Sequence, residues 1–161
     1  MNPIRIAPLV FLCTLFSMTV FAAPLEWSIE DDDLKPVPVA VLAAVRSSAL
    51  LPGNLKECQF VGKQIALDTK GSVVGMFLTT LPACWGAAVG PVVILLKEKD
   101  NYRVVLFDYG YSAKPSVGRA QISDIWIVGG TAGWSYEALW SYRERGYVKT
   151  KEIRREPDAV K

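Results

Sequence analysis

Hydrophobic and polar positions divide this chain into three regions. An unbroken apolar run comes first, then one stretch of helical spacing, then a series of short alternating or β-branched runs. The opening run, residues 6–21, carries no charge and follows a single basic residue, Arg5. In LKPVPVAVLAAVRSSALLPGN, Val41, Leu42, Val45 and Leu50 fall at near-helical spacing with alanines filling the gaps. Pro36 and Pro38 stand where a helix begins and Pro52-Gly53-Asn54 where it ends, so the spacing predicts one short amphipathic helix.

From Lys56 onward the period changes. ECQFVGKQIALD alternates over part of its length, and Gly62 is expected to mark a bulge where the alternation slips. TKGS turns the chain and VVGMFLTTL supplies a second strand. PVVILLKE and YRVVLFDYGY, both rich in β-branched and aromatic residues, are predicted to form a hairpin across KDN. AQISDIWIVGG reads as a further strand ended by Gly129-Gly130. WSYEALWSYRERGYVKTKEI reads as a closing hairpin that turns near Arg145-Gly146. Within it Trp134, Tyr136, Ala138, Trp140 and Tyr142 are spaced by two and are expected to share one face, either core or binding surface.

Consecutive short strands with tight turns, no βαβ spacing and one early helix predict a mainly β (α+β) fold. Its expected form is an antiparallel sheet of about six to eight short strands with one N-terminal helix. The length suits a single domain. Residues 1–22 read as a signal peptide and 23–54 as an acidic start with the amphipathic helix. The antiparallel β domain takes 55–153, and 154–161 form a charged tail.

A basic start, apolar centre and small-residue end make residues 1–22 a secretory signal pattern, with cleavage expected after Ala22. The apolar run is about 16 residues, short of the ~20 that span a bilayer. GPVVILLKEK is interrupted by charge and reads as a buried strand, so no stable membrane anchor is expected. The location implied is periplasmic or secreted. Cys13 leaves with the signal, and Cys58 and Cys84 remain as an even pair in an oxidising compartment, which predicts a disulfide. Free thiols or a metal pair are the alternatives, and both are weakened by the absence of any histidine.

Charge is nearly balanced at +2, which argues against a nucleic-acid partner. The ends differ: EWSIEDDD is acidic and RERGYVKTKEIRREPDAVK basic, either as solvated faces or as docking patches for a charged partner. Without histidine a serine or cysteine nucleophile has no ordinary base, and no SxxK substitute occurs. Two mature cysteines supply too few soft ligands for the common zinc sites, so no metal or cofactor is expected. GAAVG at 86–90 lacks a Gly-Lys-Ser/Thr ending and runs into a strand, unlike a phosphate loop.

Two chemistries remain. Asp108, Asp124 and Glu137 lie in or beside aromatic strands, where a pair of carboxylates would serve as acid and base on a sugar polymer. Alternatively the loops 82–90 and 109–119 present Trp85, Tyr109, Tyr111 and Arg119 as contacts for another protein, with the disulfide reducing the entropy lost on binding.

Over residues 55–150 the chain carries a cysteine ahead of a strand-turn-strand, then CWGAAVGPVVILLKEKDNYRVVLFDYGY, ISDIWIVGG and YEALWSYRERGYVKTK. In this it resembles a group of small secreted bacterial proteins that includes periplasmic lysozyme inhibitors and immunity proteins against exported peptidoglycan-cutting toxins. The serine–glycine–tyrosine loop of one lysozyme-inhibitor family is absent. The resemblance implies an exported, non-enzymatic periplasmic binding protein, an inhibitor or immunity protein whose partner is a cell-wall-degrading enzyme. The alternatives are a periplasmic glycan-acting enzyme using the carboxylates above, or an envelope structural or accessory protein.

Overall fold

The computed structural model describes residues 26–85, 89–116, 121–131 and 133–156. The expected signal segment, Arg119 and the last residues of the charged tail lie outside these. Among the described residues the fold is mainly β, two antiparallel sheets of five strands each with one α-helix and one disulfide. The strands are β1 (Trp27–Ser28), β2 (Lys35–Pro36), β3 (Phe60–Ala66), β4 (Val74–Thr80), β5 (Gly90–Glu98), β6 (Asn101–Gly110), β7 (Ser112–Ser116), β8 (Asp124–Thr131), β9 (Trp134–Arg143) and β10 (Gly146–Arg155); α1 is Val39–Ser47. Sheet I has the order β2-β3-β4-β5-β6 and sheet II the order β1-β7-β8-β9-β10.

The layering follows from β5. Its run VVILL is apolar at every position because both faces are covered. Val92, Ile94 and Leu96 point into a core shared with sheet II, beside Trp27, Phe77, Ile125 and Ile127. Val93 and Leu95 point the other way, into a second cluster with Val41 and Val45 of α1 and with Phe60 and Leu78. The order of layers is therefore helix, sheet I, sheet II.

Helix α1 is shorter than its apolar spacing implies. It stops at Ser47 because Ser48 is extended and its hydroxyl accepts the Leu50 N–H at 3.1 Å, a local bond that replaces a further helical turn. Leu50 is consequently exposed, and Leu51 takes the buried place.

Three further expectations are corrected. Gly62 makes no bulge, since β3 pairs with β4 in unbroken register from Phe60 to Ala66. A Cβ at this glycine would collide with both the Leu78 side chain and the Phe77 carbonyl, so close strand approach is what requires it. The acidic start is not simply solvated, because Trp27 and Ile29 within it are core residues. Arg154 and Arg155 belong to β10 and not to a tail.

The β5–β6 and β9–β10 hairpins turn on two residues each, 99–100 and 144–145, with Lys99 and Glu144 at φ of 54° and 52°. Gly146 thus opens a strand instead of closing the turn. At Tyr111 the chain passes from sheet I to sheet II: its N–H donates to the Val128 carbonyl and its own carbonyl accepts from the Ile29 N–H.

Candidate functional site

The antiparallel meanders bring the far ends of β4, β6 and β8 and the start of β9 to one end of the molecule. Four large apolar side chains that remain exposed gather there: Leu81 (38%), Tyr109 (37%), Tyr111 (38%) and Trp134 (43%). The Cys58–Cys84 disulfide pins this end, joining the residue stretch before β3 to the turn after β4 with Cα atoms 6.3 Å apart. Tyr111 is further held by its hydroxyl, which donates to the Gly130 carbonyl at 2.6 Å.

Trp85 is seated, not free. Its indole N–H donates to the Thr80 carbonyl at 2.7 Å, and its ring packs against the inter-sheet core over Gly90, where a Cβ would lie 3.0 Å away. Trp134 is the most exposed aromatic side chain among the described residues.

A cleft of about 340 Å³ opens beside this patch, between the end of β6 and the core-facing side of the β9–β10 hairpin. Trp134 and Tyr136 form one wall, stacked with ring centroids 5.6 Å apart, and Asp108 and Tyr109 form another. Across it runs a ladder of alternating charge. Lys149 lies 3.6 Å from Asp108 and 3.0 Å from Glu152, and Glu152 lies 2.6 Å from Arg154. Asp108 also accepts the Trp140 indole N–H at 3.2 Å, and the Lys149 ammonium sits 5.2 Å from that ring's centroid.

The ladder depends on an irregularity. Lys149 opposes Trp140 and Lys151 opposes Leu139, which leaves Thr150 as an extra residue in β10. The bulge turns Lys149, Glu152 and Arg154 to the same side of the sheet. Lys149 and then Arg154 hydrogen-bond the Glu152 carboxyl and hold it below the usual carboxylate range. Burial, with Asp108 and Glu152 adding their charge, pushes the Tyr136 hydroxyl far above an ordinary phenol, so it stays protonated.

The aromatic ladder of β9 is both core and surface. Ala138 is fully buried, Trp140 and Tyr142 pack against the inter-sheet core, and Trp134 and Tyr136 emerge into the cleft.

The three carboxylates singled out from sequence do not converge. Asp108 is in the cleft, whereas Asp124 and Glu137 alternate with core residues and face outward from sheet II. Asp124 accepts the Ser141 hydroxyl at 3.0 Å, and Glu137 pairs with Arg155 at 3.0 Å. Glu137 opposes Val128, four positions along β8 from Asp124, or about 13 Å of strand. That exceeds the roughly 5–9.5 Å between the carboxylates of a glycoside hydrolase. Glu152 is the cleft carboxylate that sequence reasoning passed over. Strict alternation sets it opposite Lys149, and only the bulge brings them together.

Among the described residues no group of three histidine, cysteine, aspartate or glutamate side chains is placed to hold a metal ion, and no helix is long and apolar enough to cross a membrane. No protein-family model, curated protein or solved structure matches the chain.

Proposed function

We propose that the protein is an exported, non-enzymatic binding protein that recognises another protein through the disulfide-pinned end. The partner class we favour is a cell-wall-degrading enzyme, which the chain would inhibit or neutralise. The observation that carries this reading is the gathering of Leu81, Tyr109, Tyr111 and Trp134 on one pinned end. Exposed aromatic anchors on a rigid support are the side chains that dominate protein interfaces. The adjoining ladder neutralises its own charges, which leaves the aromatic patch as the main source of affinity.

The carboxylate-pair reading has less support. Asp108 stands apart from Asp124 and Glu137, and Glu152 is held ionised and so unsuited to donate a proton. Export rests on the signal pattern of residues 1–22.

The test is capture by the immobilised mature chain, followed by an inhibition assay on what is captured. A muramidase or amidase bound at micromolar concentration and inhibited is the expected result. Failure to bind any wall enzyme at that concentration removes the reading. Trp134→Ala and Tyr109→Ala should each weaken capture by about tenfold or more while leaving the fold intact.

A further inference from the structure

The outward face of sheet II, on the opposite side from the cleft, carries four side chains in direct cross-strand register. Lys114 on β7 opposes Trp126 on β8, Trp126 opposes Leu139 on β9, and Leu139 opposes Lys151 on β10. Directly opposed side chains stand about 5 Å apart at Cβ. The Lys151 ammonium reaches back over Leu139 to 5.8 Å from the centroid of the Trp126 ring. On the other side of that ring a trough of about 580 Å³ opens, lined by Lys114, Pro115 and Ser116 with Glu26 and Glu137.

The polar groups of this trough are unequally engaged. Glu137 pairs with Arg155 at 3.0 Å, and Glu26 accepts the Ser112 hydroxyl at 2.6 Å. Neither Lys114 nor Lys151 has a carboxylate within ion-pair distance among the described residues. Among the described residues two ammonium groups with no ion-pair partner therefore flank an indole that is only half buried.

We propose that this trough binds an acidic sugar, a pyranose ring bearing a carboxylate. The apolar face of the ring lies on Trp126, its carboxylate pairs with the Lys114 ammonium while Lys151 adds its charge from across the indole, and its hydroxyls donate to the remaining lone pairs of Glu137 and the Ser116 oxygen. Each feature narrows the class. The unpaired ammonium groups call for an anion, and the flat indole calls for a ring with an apolar face. The two carboxylates call for a ligand that also donates hydrogen bonds, and they repel a compact dianion such as phosphate. The site lies on the other face of the sheet from Trp134 and Tyr109, so it stands independently of any protein partner.

The test uses the full mature chain and two disaccharides that differ in a carboxylate: N-acetylglucosaminyl-N-acetylmuramic acid and its neutral counterpart chitobiose. Calorimetry and tryptophan fluorescence give affinities, with Trp126→Phe assigning the fluorescence change. The acidic sugar should bind about tenfold more tightly than the neutral one at low salt, with the advantage shrinking as salt is raised. Lys114→Met with Lys151→Met should abolish that advantage while leaving chitobiose affinity within about twofold. Trp126→Ala should weaken both sugars, with circular dichroism confirming the fold, and Trp134→Ala should change neither.

Equal affinity for the two sugars, an advantage that survives loss of both lysines, or no binding of either at millimolar concentration would overturn the proposal. Inorganic phosphate or phosphatidylglycerol vesicles binding as tightly as the acidic sugar would also overturn it, as the mark of an unselective anion site.

Discussion

Lys149 and Glu152 stand three residues apart on β10, where a regular strand would turn them to opposite faces, yet their charged groups meet at 3.0 Å. The extra residue Thr150 makes the difference. Its hydroxyl donates to the Leu139 carbonyl at 3.2 Å, fixing the bulge against β9. One inserted residue thus assembles the charge ladder of the cleft.

Replacing Glu152 with glutamine should cost about 0.5 kcal/mol at neutral pH, the scale of a partly exposed ion pair. The pH dependence has a definite sign. Because Lys149 and Arg154 lower the folded-state pKa of Glu152, its contribution is present above the ordinary carboxylate range and is lost as pH falls through the folded value. Urea unfolding of the two proteins should therefore differ most at neutral pH and converge in acid. A gap that widens in acid would contradict this account of the ladder.

Removing the Cys58–Cys84 bond by a double substitution to serine should destabilise the protein by about 3 kcal/mol, as expected for closing a loop of this length. The separation of 26 residues spans β3, β4 and the turn that immediately precedes Trp85. Denaturant titration of the wild type with and without reductant should reproduce the loss. Capture of a partner should weaken with it, because the aromatic end is no longer pinned.

Ile94 and Leu95 are adjacent and both fully buried, yet they serve different clusters. Ile94→Val should cost about 1 kcal/mol and Leu95→Ala about 3 kcal/mol. The double variant should lose the sum to within about 0.5 kcal/mol, since the two side chains pack in different clusters on opposite faces of β5. Strong coupling between them would mean that the two clusters do not act as separate layers.

Gly62→Ala should destabilise by about 1–3 kcal/mol through overpacking against β4. The added Cβ meets the Phe77 carbonyl, and backbone cannot step aside as a side-chain end can. If thermal melting showed the alanine variant to be as stable as the wild type, close strand approach would not be the reason for this glycine.

Much of the fold was legible because its determinants are local. The apolar run of β5, the alternation of β9 and the clustered β-branched residues of β6 name themselves as strands, and the short spacers between them allow only antiparallel neighbours. The even cysteine pair in an expected oxidising compartment pointed to the bond that forms. The short strands β1, β2 and β7 were not legible. Two of them are only two residues long, and SAKPS reads as a loop. Among the described residues β1 pairs only with Ser112 and Ala113, so Pro115 gives up no ladder hydrogen bond to it.

The sequence alone determined the periods of the long strands, the order of their hairpins and the place of α1, since each depends on residues close in the chain. Only the tertiary structure decided that the strands divide into two sheets at Tyr111, that Trp27 of the acidic start is core, and that Asp124 and Glu137 face away from Asp108. Those outcomes turn on which face of a strand is covered. A single extra residue such as Thr150 reverses that face, and its effect is decided by what packs against the strand.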